Sequence, residues 1–160
     1  MKQYIGTKLI EAEPAYRVDG KLVQPCSWPI EAGAKTEEGY AVKYRDGYMS
    51  WSPKEVFEEA YRPTDAMSFG LAIEAAKKGM RVARRGWNGK GMFVYLVKGS
   101  EVPFENLRES AARFITAEST GLDAAHICPH FDMKAADGTI VVGWLASQTD
   151  MLADDWQIVE

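Results

Sequence analysis

The chain has 160 residues, 46% hydrophobic and 26% charged, a composition typical of a folded protein with one mid-sized domain or two small ones. Its formal net charge of -4 argues against a dedicated nucleic-acid binder, because such proteins use a positive surface to release counterions from phosphates. The sequence has neither an apolar run of membrane-helix length nor an apolar signal region at the amino terminus, so we expect a cytoplasmic protein without a membrane partner.

The first part of the chain predicts a small unit of β-strands and one helix. Residues 8–12 are typical of a short strand that Pro14 limits, and Asp19-Gly20 predicts a turn. Residues 25–35, which contain two prolines, predict a loop. The clearest signal is a hairpin over residues 40–51, because alternating apolar residues flank Asp46-Gly47, a pair in which both positions tolerate positive φ.

A helix is expected after this hairpin. Ser52, Pro53 and Glu55 have the spacing of a capping box, with serine at the N-cap and proline at the first helical position. The helix should run to about Tyr61 and bury three residues, which are Val56, Phe57 and Ala60. The proline-containing stretch 62–65 then predicts a domain boundary, which divides the chain into residues 1–65 and 66–160.

The second part predicts one main helix and several strands. Ser68 caps a helix that ends at Gly79, and its apolar stripe contains Phe69, Ala72, Ile73 and Ala76. Further strands are predicted at residues 81–84, 92–97, 131–134, 139–144 and 156–159, a short helix within 104–115, and a capped helix from Ser147. The predicted fold class is therefore α+β, with a small antiparallel sheet packed on one main helix and a hairpin-plus-helix domain before it.

Three blocks of this second part resemble a known family. They are SFGLAIEA at 68–75, VARRGWNGK at 82–90 and WLASQTDMLADDW at 144–156, and together they are similar to the second family of phage Thoeris anti-defence proteins over about residues 67–160. The resemblance implies a homotetramer that sequesters cyclic ADP-ribose-type immune signals in the bacterial host cytoplasm without degrading them. It also implies that cyclic dinucleotides are bound by some members at a separate site.

Residues 1–65 resemble a short phage module of unknown activity. The resemblance rests on YIGTK at 4–8 and GYMSWSPK at 47–54. It indicates a phage origin and leaves the role of the first domain open.

Two tryptophans are candidates for ligand binding. Trp87 stands in a glycine-rich turn, where an aromatic face can stack on a base, and the alternative is a core residue beneath the turn. Asn88 offers donors and acceptors to a base edge or a ribose, or it simply forms the turn. Trp144 is predicted at the end of a strand, next to a helix start whose free N–H groups attract phosphate.

Two groups of polar residues accompany these tryptophans. The cations near the glycine turn match phosphates, or are ordinary solvated charges: Arg84, Arg85 and Lys90. The residues after Trp144 offer hydrogen bonds to a ribose or phosphate, or form only a capping box: Ser147, Gln148, Thr149 and Asp150. We predict that both groups bind a cyclic nucleotide.

Metal-ligand residue types alternate between residues 126 and 132. They are His126, Cys128, His130 and Asp132, but Pro129 interrupts the segment. We predict surface loop histidines, a half-buried Cys128 thiol, no metal and no cofactor. An enzyme that hydrolyses the signal would need this cluster and is the first alternative to a binding protein. A second alternative is a protein-binding adaptor that uses Tyr48 and Trp51 of the first domain as exposed anchors.

Overall fold

The computed structural model describes residues 1–3 and 7–160, which form two compact units, Met1–Pro63 and Thr64–Glu160. Residues 4–6, part of one motif of the phage module, lie outside this range. The described residues form eleven β-strands and five α-helices, so the α+β class is confirmed, although more of the chain is sheet than packing on a single helix predicted. No helix of the described chain is long and apolar enough to cross a membrane.

The first unit is an antiparallel four-stranded sheet followed by one helix. Its strands occur in the order β2-β1-β3-β4, and its elements are β1 (Glu11–Val18), β2 (Leu22–Pro25), β3 (Thr36–Lys43), β4 (Met49–Pro53) and α1 (Lys54–Ala60). Pro14 lies inside β1 rather than limiting it. Its carbonyl accepts from Cys26 N, and Cys26 follows the last residue of β2. An N–H at position 14 would also face Cys26, so its absence in proline removes no hydrogen bond between β1 and β2 themselves.

Both predicted turns of this unit form, with different geometries. Asp19 and Gly20 have φ of 49° and 72°, so both positions are left-handed. In the β3–β4 hairpin Gly47 has a φ of 83° and Asp46 is not left-handed, and Tyr44 N donates to Tyr48 O at 2.9 Å. The second turn is therefore a three-residue loop with glycine at its left-handed position, not the two-residue loop that the sequence favoured.

The capping box predicted at Ser52 is wrong. Ser52 belongs to β4, the N-cap of α1 is Pro53, and no side chain caps the helix. The helix has no fully buried residue: Val56 is 57% exposed, and Phe57 is half-buried with its ring 4.1 Å from that of Tyr40. Strand pairing extends to Pro53, and this commits Ser52 to the sheet before the helix begins.

Trp51 is half-buried rather than an exposed anchor. Its indole lies across Gly39, and a Cβ atom added to Gly39 would come within 2.6 Å of the ring. Tyr48, in contrast, is 64% exposed.

The second unit is built on one main sheet. Its strands occur in the order β10-β9-β6-β5-β11, and a separate pair joins β7 to β8. The helices are α2 (Phe69–Lys77), α3 (Glu109–Ala112), α4 (Ala117–Thr120) and α5 (Gln148–Met151), and Phe104–Asn106 forms a turn of 3₁₀ helix. The strands are β5 (Arg81–Arg84), β6 (Phe93–Val97), β7 (Ser100–Val102), β8 (Ala125–Ile127), β9 (His130–Lys134), β10 (Ile140–Val141) and β11 (Trp156–Val159).

The core lies between α2 and one face of this sheet. Val82, Val94 and Met133 stand opposite one another on neighbouring strands, and Trp156 is fully buried beside them. The helix contributes Ala72, Ala75 and Ala76, small residues that allow it to approach the sheet closely. Ser68 is the N-cap of α2 but makes no side-chain capping bond, and Gly79, with a φ of 89°, follows the end of the helix.

Two predicted elements of this unit differ in the structure. The helix expected within 104–115 is broken, because Leu107 and Arg108 are extended, and Phe114 is 71% exposed. The strand expected over 139–144 contains only Ile140–Val141, because a turn at Gly143 with a φ of 76° ends it. Trp144 therefore follows a turn and is not at a strand end.

Candidate ligand site

An ionic cluster joins the end of β5 to the segment before β11. Arg84 Nε donates to Asp155 Oδ1 at 2.8 Å, and its NH1 donates to Asp150 Oδ1 and to the carbonyl of Thr149, each at 3.1 Å. The side chain of Arg84 is only 17% exposed. Its hydrogen bond to Asp155 is the main reason that the pKa of Arg84 lies above its ordinary value. Arg84, predicted to bind phosphate, thus has most of its donors engaged within the unit.

Asp150 holds several groups together. The capping box predicted at Ser147 is confirmed: Ser147 N and Oγ donate to Asp150 Oδ2 at 3.1 and 2.7 Å, and Asp150 N donates back to Ser147 Oγ at 3.2 Å. Trp87 Nε1 donates to Asp150 Oδ1 at 3.0 Å. Burial raises the pKa of Asp150, but the hydrogen bonds from Ser147, Trp87 and Arg84 outweigh it and lower the pKa to about 2.

Three tryptophan rings meet above this cluster. The ring centroids of Trp87 and Trp144 are 6.1 Å apart, and those of Trp87 and Trp156 are 5.4 Å apart, with the planes steeply inclined in both pairs. Trp156 is the buried member, and its Nε1 donates to the carbonyl of Asp150 at 2.9 Å. Trp87 and Trp144 are half-buried, so the structure brings the two predicted aromatic residues together at the edge of the core.

The remaining predicted site residues are exposed. Arg85 NH2 donates to the carbonyl of Asp65 at 2.7 Å, and the hydroxyls of Ser147 and Thr149 are 2.8 Å apart. Exposed side chains that keep polar groups at the surface are those of Asn88, Lys90 and Gln148.

Asp155 was not among the site residues predicted from the sequence. Its Oδ2 accepts from Gly86 N at 2.7 Å, and its backbone carbonyl accepts from Arg85 N at 3.1 Å. A Cβ atom on Gly86 would approach the same oxygen to 2.8 Å. Hydrogen bonds from Arg84 lower the pKa of Asp155, so the charged carboxylate anchors the start of the glycine turn. In the sequence, the signal for Asp155 was its position directly before Trp156. In the structure Trp156 lies opposite Arg84 in the sheet.

The alternating His and Cys residues of the segment 126–132 are not drawn together in one cluster. His126 is exposed, and so is Cys128, which was predicted to be half-buried. Both histidines lie in strands rather than in a loop, and His130 Nε2 is 3.4 Å from Oδ1 of the buried Asp132. Among residues 1–3 and 7–160, no three His, Cys, Asp or Glu side chains are arranged to hold a metal ion.

A groove of about 400 Å³ lies elsewhere in the unit and contains none of the ten predicted site residues. Its lining includes Phe93, Tyr95 and Lys134, which alternate along their strands with residues of the core. Because neighbouring residues of a strand point to opposite faces, these three side chains are on the sheet face away from α2.

Comparison with known proteins identifies the family. A sequence profile of the Thoeris anti-defense 2-like domain matches residues 67–159. The chain belongs to the Thoeris anti-defense 2-like family. A curated relative, "Thoeris anti-defense 2" of Bacillus phage SP01, is 41% identical over 93 residues, which are 58% of this chain and 94% of that protein. The resemblance inferred from the three sequence blocks is confirmed, and the chain is a phage-type Thoeris anti-defense protein. The match to this family covers all ten predicted site residues and begins after the first unit.

Acid is expected to weaken the second unit through Asp150 and Asp155. Both carboxyls have lower pKa values in the folded protein than the ordinary value of about 3.9, so the unfolded chain takes up protons first. The stabilisation from both groups is complete above about pH 4 and is lost at lower pH. That of Asp150, about 2 kcal/mol, is lost as the pH falls through about 2. Urea midpoints measured between about pH 5 and about pH 2 should fall accordingly, and Asp150→Asn should flatten the dependence. An equal slope in that variant would contradict the assignment.

Proposed function

We propose that the second unit binds a cyclic nucleotide immune signal, such as a cyclic ADP-ribose isomer, and sequesters it chemically unchanged. The observation that carries this proposal is the corner formed by Trp87 and Trp144, two half-buried indoles 6.1 Å apart and inclined at 71°. Two such rings cannot sandwich a base between them. A base can instead stack on the face of one indole and meet the other edge-on, and stacking contributes about 1–3 kcal/mol per base.

The polar residues divide into two roles under this proposal. Asn88, Lys90 and Gln148 are exposed, and their groups are suited to ribose hydroxyls and phosphates. Thr149 and Arg85 are exposed as well and add a hydroxyl and a second cation. These residues provide the direct contacts to the ligand.

Arg84, Asp150 and Ser147 support the site from beneath. The carboxylate of Asp150 already accepts from Arg84, Trp87 and Ser147. Its role is therefore to orient the Trp87 indole rather than to bind ribose. These donors keep the carboxylate ionised, and an ionised carboxylate in direct contact with the ligand would repel its phosphate.

A homotetramer in the host cytoplasm is part of the same proposal. Several apolar side chains close to Trp144 in the chain are exposed: Val142 at 69%, Leu145 at 88% and Leu152 at 79%. An exposed apolar group of this kind is typical of a subunit contact, and a neighbouring subunit here would also help to enclose the ligand. A sequestering protein acts by mass action, so it must bind the signal well below the concentration at which the host receptor responds.

Native mass spectrometry with a panel of cyclic ADP-ribose isomers and cyclic dinucleotides tests this function. We expect one class of nucleotide to remain bound to a tetramer and to be recovered with unchanged mass after denaturation. A linearised or hydrolysed nucleotide would indicate an enzyme, and His130→Ala would then be expected to abolish the reaction. Absence of binding across the panel would refute the proposal.

A further inference from the structure

The turn that carries Trp144 is attached to strand β9 by two consecutive hydrogen bonds. Gly143 N donates to Asp132 Oδ1 at 3.0 Å, and Trp144 N donates to the carbonyl of Phe131 at 2.6 Å. Gly143 is left-handed, with a φ of 76°, and the chain here continues alongside β9, since Val141 lies opposite Met133 and Trp144 N bonds to Phe131. These two bonds therefore fix the Trp144 backbone relative to residues 131 and 132 of the central sheet.

The three residues before Gly143 contribute little packing. The side chains that lead into the turn are mostly in solvent: Ile140 is 57%, Val141 46% and Val142 69% exposed. Strand β10 is only two residues long and pairs with β9 alone. With so little apolar burial before Gly143, the hydrogen bonds to β9 and the packing of the Trp144 ring on Trp156 determine where the turn lies.

Asp132 itself is held firmly. It is 7% exposed and lies on a strand that pairs with β6 over five residues. Its Oδ2 accepts from the hydroxyl of Tyr95 at 3.5 Å, and His130 Nε2 lies 3.4 Å from its Oδ1. Asp132 belongs neither to the ionic cluster at Arg84 nor to the tryptophan corner, although it is one of the two acidic residues buried in the described chain. A buried carboxylate needs hydrogen-bond donors, and one donor to Asp132 is the backbone N–H of Gly143, next to Trp144.

We infer that Asp132 is a positioning residue for the ligand site: through Gly143 it sets the angle at which Trp144 meets Trp87. It does this without touching the ligand. The inference rests on the proposed function, because it assumes that Trp144 contacts the nucleotide. It also makes a structural claim about the turn that can be tested without any ligand.

The first experiment compares Asp132→Ala with Asp132→Asn in the full chain. Asparagine keeps an oxygen that can accept from Gly143 N, and alanine removes it. Amide hydrogen exchange at Gly143 and Trp144 should be roughly tenfold faster in Asp132→Ala and close to wild type in Asp132→Asn. Unchanged exchange in the alanine variant would overturn the inference, whatever the protein binds.

The second experiment is a double-mutant cycle with Trp144→Ala, using calorimetric titration with cyclic ADP-ribose isomers. Asp132→Ala should weaken binding roughly tenfold in the wild-type background and less than about twofold when Trp144 is already absent. An equal loss in both backgrounds would show that Asp132 acts elsewhere and would overturn the inference. Asn88→Ala is the control background, in which the full loss should persist, since Asn88 lies in the glycine turn.

Two further outcomes remain distinguishable. If the wild-type protein binds no member of the panel, the proposed function fails, and hydrogen exchange still decides whether Asp132 holds the turn. If Asp132→Ala does not fold, Asp132→Glu replaces it in both experiments, because the extra methylene moves the oxygens away from Gly143 and keeps the charge.

Discussion

Replacement of Asp150 by alanine is expected to lower the unfolding free energy of the second unit by about 3–5 kcal/mol, the cost of removing one partner from a buried ion pair. Arg84 would lose one of its two carboxylates while only 17% exposed. Trp87 Nε1 and Ser147 N would lose their acceptor at the same time, so α5 would lose one of the two reciprocal bonds of its capping box. Urea unfolding of the variant, fitted to a two-state transition, measures this loss.

Two matched variants separate charge from shape at this position. Asp150→Asn retains oxygen for some of these donors and should lose less than the alanine variant. Asp154→Ala removes a neighbouring carboxylate that is exposed, and its effect should stay within about 0.5 kcal/mol. Equal losses in Asp150→Ala and Asp154→Ala would contradict the central position assigned to Asp150.

The three tryptophans are expected to divide into one structural residue and two ligand residues. Trp156→Ala should cost about 3–5 kcal/mol of stability, because the removed ring is fully buried and leaves a cavity in the core. Trp144→Ala should instead cost about 1–3 kcal/mol in binding free energy, up to roughly a hundredfold in Kd, since its ring is half-buried beside exposed polar groups. Thermal melts and calorimetric titrations on the same samples measure both quantities.

Trp87 requires a milder change, because it also packs on Trp156 and donates to Asp150. Trp87→Phe keeps an aromatic face while removing the N–H, so affinity should fall less than in Trp144→Ala. That Trp87 and Trp144 line one pocket remains a prediction. A large drop in melting temperature for Trp144→Ala, with wild-type affinity in the folded fraction, would contradict the hypothesis that Trp144 stacks on the ligand.

Elements set by neighbouring residues were predictable. The turn at Asp19-Gly20 and the reciprocal capping box of Ser147 and Asp150 occur as expected, because each depends on groups within three residues of one another. Strands β5 and β11 are also where the sequence placed them. Trp87 and Trp144 were selected from their local settings together with the family resemblance, but local pattern could not show that they meet, since 57 positions of the printed sequence separate them.

Features that depend on distant partners were not predictable from local pattern. The Ser52 capping box had the same local signature as that of Ser147, but pairing with β3 extends β4 through Pro53 and leaves no room for a cap. Phe114 fitted a helical period but is 71% exposed, because the chain around it is broken into short turns. Local signals of equal strength therefore failed wherever strand pairing or packing competed with them.

The amino-acid sequence by itself determined the family, the α+β class, and the turns and caps whose hydrogen bonds are local. Only the tertiary structure decided which charges are available to a ligand. Arg84 and Asp150 were both candidates for binding the ligand. The pairing of β11 with β5 places Asp155 beside Arg84, and Arg84 and Trp87 both donate to Asp150, so both side chains are engaged. Asp132 gained its link to the Trp144 segment in the same way, because the pairing of β10 with β9 brings the Gly143 N–H to a carboxylate eleven residues earlier. Hydrogen bonds between segments far apart in the chain form only once the sheet has set their register, and sequence pattern does not encode that register directly.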